Sequence, residues 1–241
     1  MTGWIKICGI RDVATAVETA VPGVSAIGLN FFEKSVRHVR HDVAQEIGWR
    51  FATLAEHWAS RQLAISPSSP MTVGLFVNHS LETISQFVSM VGLGAIQLHG
   101  DESPEFLREL HQKHPQQRLI KAFRVGDSLT PIAEFLEECR QLNVPLAGCL
   151  LDAKVDGAFG GTGKVAPWEL IANDYDRANW PPLILAGGLT AENVAEAIQT
   201  VQPFGVDTAS GVESSPGVKD TKLLARFVAE ARRAFAELGD H

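Results

Sequence analysis

The sequence predicts an α/β protein folded as a single (β/α)8 barrel over residues 1–241, and three observations carry that prediction. Eight short apolar, β-branched runs recur along the chain, helical patterns lie between them, and 241 residues matches the roughly 250 that such a barrel takes. The runs are Trp4–Cys8, Ser25–Asn30, Thr72–Asn78, Ala95–His99, Leu119–Arg124, Gly148–Asp152, Leu183–Ala186 and Gly205–Ala209. Most are continuously hydrophobic, as strands covered on both faces of a parallel sheet must be.

The helices are justified by spacing and by caps. Val43, Ile47, Phe51 and Leu54 recur at helical intervals, as do Ile84, Val88 and Val91, and Leu224, Phe227, Val228, Ala231 and Phe235. Ser103 followed by Pro104 reads as an N-cap with proline at the first helical position, and Thr190 and Asp220 are further candidate caps. A doubly wound sheet is the rival architecture. Against it, no G-x-G-x-x-G turn follows the first strand. Ser66–Pro70 precedes a strand and reads as a surface loop at the N-terminal face of the barrel.

Charge and cysteine content narrow the function. With 21 Lys+Arg against 28 Asp+Glu the net charge is −7, which argues against an extended nucleic-acid or anionic-membrane surface. It leaves room for a small anionic ligand in a locally positive pocket. The three cysteines, Cys8, Cys139 and Cys149, are odd in number and widely spaced, which suits a reduced chain. Met1–Trp4 lacks a basic start to an apolar run, and no stretch approaches about 20 apolar residues. The expectation is a soluble cytoplasmic protein with no nucleic-acid or membrane partner, present as a monomer or homodimer.

In a barrel the active site lies at the C-terminal strand ends and the loops after them. Cys8 closes the first strand, Lys34 and Arg37 follow the second, His99 closes the fourth, Asp152 closes the sixth, and Asp207 lies near the end of the eighth. Glycine clusters follow the last three strands: Gly160-Gly161-Thr162-Gly163, Gly187-Gly188 and Ser210-Gly211. Without Cβ atoms, backbone N–H groups can encircle phosphate oxygens, so these loops predict a phosphate site. Asp152 is either a general acid raised by burial or a loop cap paired with a lysine such as Lys154. Cys8 is either a thiolate base or a small buried hydrophobe. Arg37 offers a planar fork for a carboxylate or phosphate, or simply a solvated loop charge. No histidine or cysteine spacing suggests a metal, and nothing calls for a cofactor.

Together these segments resemble phosphoribosylanthranilate isomerase of tryptophan biosynthesis. The resemblance rests on Lys6-Ile7-Cys8-Gly9-Ile10, Gly28 through Arg37, Gln97 through Glu102, Leu150-Leu151-Asp152, Gly160 through Gly163, Ala186-Gly187-Gly188-Leu189, and Val206-Asp207 leading into Ser210-Gly211-Val212-Glu213. It implies a (β/α)8 barrel and an Amadori rearrangement of a phosphosugar amine. It further implies Asp152 as general acid, Cys8 as general base, and Arg37 as the holder of the substrate carboxylate. His99 and Asp207 match positions lining the substrate, and Gly161, Gly163, Gly187, Gly188, Ser210 and Gly211 match the phosphate grip. Three positions depart from the pattern: Glu33 where the family usually has proline, Asn30, and the pair Thr208-Ala209.

Two other enzymes and one binding module compete. A barrel isomerase of histidine biosynthesis usually pairs two aspartates, which Cys8 contradicts. A Schiff-base aldolase would need Lys6 or Lys121 in the cleft. A phospholigand-binding barrel without chemistry would have no use for both Cys8 and Asp152.

Overall fold

Every residue of Trp4–Cys8 is buried, which only a strand covered on both faces can be. This strand, β1, starts a closed barrel in a computed structural model that describes residues 3–52, 70–152 and 167–239. The remaining strands are β2 (Ala26–Asn30), β3 (Met71–Phe76), β4 (Ala95–Leu98), β5 (Arg118–Arg124), β6 (Leu146–Asp152), β7 (Leu183–Ala186) and β8 (Gly205–Thr208). They are parallel and joined in sequence order, and β8 pairs with β1 through Trp4 opposite Gly205 and Lys6 opposite Asp207. The strand readings hold to within one or two residues at each end. Ser66 to Ser69 and Leu54 lie outside the described residues.

The helices lie between the strands: α1 (Val13–Thr19), α2 (His41–Ala52), α3 (Leu81–Phe87), α4 (Pro104–Lys113), α5 (Thr130–Gln141), α6 (Trp168–Asp174), α7 (Val194–Val201) and α8 (Thr221–Gly239). Their starts follow capping chemistry. Ser103 Oγ accepts from Phe106 N–H and Pro104 opens α4, while Asp220 Oδ1 accepts from Lys222 and Leu223 N–H at the head of α8. Thr190 stands one turn earlier than a cap. Its hydroxyl accepts from Glu192 N–H in the turn that precedes α7. The pattern at Ile84, Val88 and Val91 spans α3 and a π-helical turn, Val88–Gly92, that continues it.

Strand alternation divides the core in two. Ile5, Ile7, Ile27, Leu29, Ile96, Leu98, Leu151 and Leu185 face outward against the helices. Trp4, Ala26, Met71, Val73, Ala95, Ile120, Leu150 and Ile184 fill the barrel interior. Each large side chain fully buried in these layers contributes about 1.5–3 kcal/mol. Towards the C-terminal strand ends the interior turns polar: Lys6 and Cys8 on β1, Gln97 on β4, Asp152 on β6 and Asp207 on β8.

One feature departs from the strand-then-helix pattern. After β8 the chain forms a 3-10 turn (Ser210–Val212) and then an antiparallel hairpin, β9 (Glu213–Ser215) with β10 (Val218–Lys219), before α8. Strands of three and two residues are too short to leave a periodic signature. The Pro216-Gly217 dipeptide between them is the turn signal that could have revealed the hairpin, with Gly217 at φ +80°.

Candidate active site

Cys8 ends β1 with its side chain inside the barrel, two residues beyond Lys6 on the same face. Lys6 is fully buried, and its Nζ donates to both oxygens of Asp207 at 3.0 Å. The charge of this ammonium also acts on the Cys8 thiol, two residues along the same face of the strand. Space for this trio comes from Gly28 on β2, the residue paired with Cys8. A Cβ there would stand 2.7 Å from Cys8 Sγ and 3.1 Å from Lys6 Cε.

Burial opposes the charge of Lys6, but Asp207 and Cys8 outweigh it and raise its pKa. Burial is also the larger influence on Asp207 and pushes its carboxyl up, against Lys6 and Lys219. Both carboxylate oxygens lie at hydrogen-bonding distance from one ammonium, so the proton of the pair belongs to the lysine. Burial raises the Cys8 thiol above its ordinary value. Lys6 and Lys219 pull it back, and Asp207 adds to the rise. Without ligand Cys8 is therefore a thiol at neutral pH, held among cations that favour its thiolate.

His99 lies just beyond β4, with its main chain tied to Phe76. Burial lowers its pKa, against the charge of Asp152, so the ring is neutral at pH 7. The Gln97 side-chain amide lies 3.0 Å from His99 Nδ1 and fixes the ring's orientation. Asp152 ends β6 at an inward position, paired with Arg124 on one side and Ala186 on the other. Its charge reaches both His99 and Asp207. A cavity of about 690 Å³ opens beside His99, lined among others by Glu102, Lys121, Phe123, Arg124 and Phe135.

Arg37 is carried by a turn that the sequence specifies in detail. Asn30 Oδ1 accepts from Phe32 N–H, Asn30 Nδ2 donates to Ser35 Oγ, and Ser35 Oγ also accepts from Arg37 N–H. Gly9, at φ +84°, underlies the arginine stem, where a Cβ would come within 2.7 Å of Arg37 Cδ. The guanidinium makes a two-pronged ion pair with Glu213 on β9, Nε and Nη2 each 2.7 Å from a carboxylate oxygen. Lys219 on β10 joins the same carboxylate at 2.9 Å and donates to the Ala209 carbonyl at 2.8 Å. Burial pushes the Glu213 carboxyl up, but the hydrogen bonds from Arg37 and Lys219 prevail and hold it at about 2. Glu33 and Lys34 are exposed on the same loop.

The turns after β7 and β8 are locked together. Thr208 Oγ1 donates to the Leu189 carbonyl at 2.7 Å, and a Cβ on Gly211 would collide with that carbonyl. Gly187 and Gly188 adopt φ +93° and +67°, values that side chains rarely tolerate. Ser210 opens the 3-10 turn. Gly161, Gly163 and the rest of the loop after Asp152 lie outside the described residues. Among the described residues no group of three or more His, Cys, Asp or Glu could hold a metal ion.

The structure places Cys8, Asp152, His99 and Asp207 at the C-terminal strand ends and Arg37 on the loop after β2, and the sequence reading did not anticipate Glu213 and Lys219 as the partners that orient Arg37. Lys6 entered only as a Schiff-base candidate. Lys121, the other such candidate, points outward, where its Nζ bonds Glu102 at 3.0 Å and the Gly100 carbonyl at 2.6 Å.

The chain is similar to known proteins over nearly its whole length. Residues 5–230 match the family described as N-(5'-phosphoribosyl)anthranilate (PRA) isomerase. An N-(5'-phosphoribosyl)anthranilate isomerase of Trichlorobacter lovleyi is 38% identical over 232 residues, covering 95% of this chain and 98% of the relative. The crystal structure of phosphoribosyl anthranilate isomerase from Thermotoga maritima superposes with a TM-score of 0.76 at 33% identity, over 96% of this chain and 99% of that one. A crystal structure of the isomerase in complex with reduced 1-(o-carboxyphenylamino)-1-deoxyribulose 5-phosphate gives 0.74 at 31% identity, with the same coverage. The chain belongs to the N-(5'-phosphoribosyl)anthranilate isomerase family.

Proposed function

We propose that this chain, a single barrel domain over residues 1–241, isomerises N-(5-phosphoribosyl)anthranilate to 1-(2-carboxyphenylamino)-1-deoxyribulose 5-phosphate. This is an aldose–ketose rearrangement, the third stage of tryptophan synthesis from chorismate, and it takes place in the cytoplasm. The observation that carries the reading is the placing of a thiol and a carboxyl, Cys8 and Asp152, at the inward C-terminal ends of β1 and β6. One small sugar between them meets an acid and a base, and each positioned proton transfer is worth about 10²–10⁴-fold.

Asp152 protonates the furanose ring oxygen, and the bond from that oxygen to C1′ breaks to give a Schiff base. Cys8, as thiolate, takes the C2′ proton, and the electron pair moves to nitrogen to leave an enolamine that tautomerises to the ketone. No cofactor enters this scheme. Arg37 receives the anthranilate carboxylate on its Nη1 side, because Glu213 occupies Nε and Nη2. His99 donates a ring N–H and Asp207 accepts from a sugar hydroxyl. Gly161, Gly163, Gly187, Gly188, Ser210 and Gly211 surround the phosphate. Fixing carboxylate and phosphate at opposite ends orients the reacting carbons between them.

The test is the loss of anthranilate-type fluorescence when the protein meets freshly made substrate, with Cys8→Ser in parallel. Loss well above the spontaneous rate, abolished in the variant, is expected. Anion binding without turnover would leave only a ligand-binding barrel. Arg37→Ala is expected to raise KM with little change in kcat, and an unaltered KM would remove Arg37 from carboxylate binding. Sedimentation distinguishes the two assemblies expected, monomer and homodimer.

A further inference from the structure

A base that removes a carbon-bound proton must be charged first, and Cys8 sits where burial opposes that charge. The charged groups around it come from several elements. Lys6 stands on its own strand, Asp207 on β8, Lys219 on β10 and Arg37 on the loop after β2. Lys6 stands two residues before Cys8 on the same face of β1 and is the cation that acts on it most strongly. It is fully buried, its ammonium is held by both Asp207 oxygens, and its Cε and the Cys8 sulfur border the same space over Gly28. Gly28 keeps the space that this contact needs, since any Cβ would press on both Cys8 Sγ and Lys6 Cε.

We propose that Lys6 is the positioning residue that makes Cys8 usable as a base, held by Asp207 so that its ammonium faces the sulfur as the thiolate forms. The inference rests on Cys8 being the base of the isomerisation. Lys6 keeps its proton throughout. The thiol proton leaves to solvent before the reaction, the sulfur receives the C2′ proton during it, and the ammonium offsets the charge on sulfur in between. Asp207 has two opposed effects. Its charge holds Lys6 in place and also works against the thiolate.

That opposition supplies the test. The Cys8 thiolate is titrated by its ultraviolet absorbance, as the difference between each protein and the same protein carrying Cys8→Ser. Cys139 and Cys149 are pushed up to about 11 and about 12 and cancel in that difference. Lys6→Met is expected to move the Cys8 midpoint up by about 1–3 pH units, the effect of losing one close opposite charge. Asp207→Asn is expected to move it down. A merely structural disturbance would shift both the same way. The double variant Lys6→Met with Asp207→Asn leaves no buried charge unpaired, and in a folded protein it is expected to place the midpoint between those of the two single variants. Turnover of Lys6→Met should fall in kcat rather than rise in KM. A midpoint that Lys6→Met leaves unmoved, or that the double variant places no higher than Asp207→Asn alone, overturns the role of Lys6. Absence of turnover in the unmodified protein instead overturns the function, and the titration distinguishes the two.

Discussion

Among the described residues, two lysines of the barrel strands make buried pairs with carboxylates, and the pairs lie on opposite sides of the barrel wall. Lys6–Asp207 and Lys121–Glu102 have the same Nζ to oxygen distance, 3.0 Å, and side-chain exposures of 0%/8% and 3%/2%. The first faces inward, next to Cys8. The second faces outward, beneath the loop that follows His99. There Glu102 accepts from Asn78 and Gly100 N–H while Lys121 bonds the Gly100 carbonyl. Strand alternation alone decides which side of the wall a lysine serves. An identical ion pair is therefore read as chemistry on the inside and as loop support on the outside.

The sharpest way to break that comparison is to compare losses in kcat with losses in stability. Cys8→Ser and Asp152→Asn are each expected to lower kcat by about 10²–10⁴-fold, with Tm nearly unchanged. Lys121→Met should do the reverse. It leaves the Glu102 charge buried without its partner, at a cost of about 3–5 kcal/mol. At about 2–4 °C per kcal/mol for a chain of this size, Tm falls by about 6–20 °C. Below its transition the variant should keep kcat within about tenfold, well short of the loss expected for a proton-transfer group. A folded Lys121→Met protein with kcat as low as Cys8→Ser would end the distinction.

Two glycines sharpen it on a smaller scale. Gly28 on β2 faces Cys8 and Lys6, whereas a Cβ on Gly74 in β3 would press on Leu93, Phe76 and Phe31 outside the barrel. Overpacking at either place costs about 1–3 kcal/mol. Gly28→Ala should lower kcat as well as Tm, since it separates the thiol from its ammonium, and Gly74→Ala should lower Tm alone. Equal kcat in the two variants would show that the space beside Cys8 carries no function.

The contrast also explains what could be read before the fold was known. Strands report themselves through local hydrophobic runs, so all eight were legible, and with them the strand-end residues Cys8, Asp152 and Asp207. His99 was found in the same way. The partners were not legible, because closure of the barrel brings them together from far apart in sequence. Lys6 and Asp207 are 201 residues apart, and Arg37 and Glu213 are 176 apart. No spacing rule reaches that distance. Nor does a strand's apolar pattern tell which of Lys6 and Lys121 points inward until its neighbours are in register.

The last prediction concerns Glu213, whose buried carboxylate two cations share. Its folded pKa, about 2, lies below the roughly 4.3 of an unfolded glutamate. Folding is therefore favoured by the charged form above about pH 4.3, and that contribution fades as pH falls towards 2. Replacing it with Glu213→Gln should lower Tm at pH 6, and the gap to the unmodified protein should narrow between pH 5 and about 3. A gap that stays constant over that range would show that the carboxylate charge adds nothing, and that Arg37 is oriented by its turn at Asn30 and Ser35 alone. If the gap closes as expected, Arg37→Ala and Glu213→Gln separate the two ends of the same ion pair. The first removes the donor proposed for the substrate, and the second removes the carboxylate that holds it and Lys219.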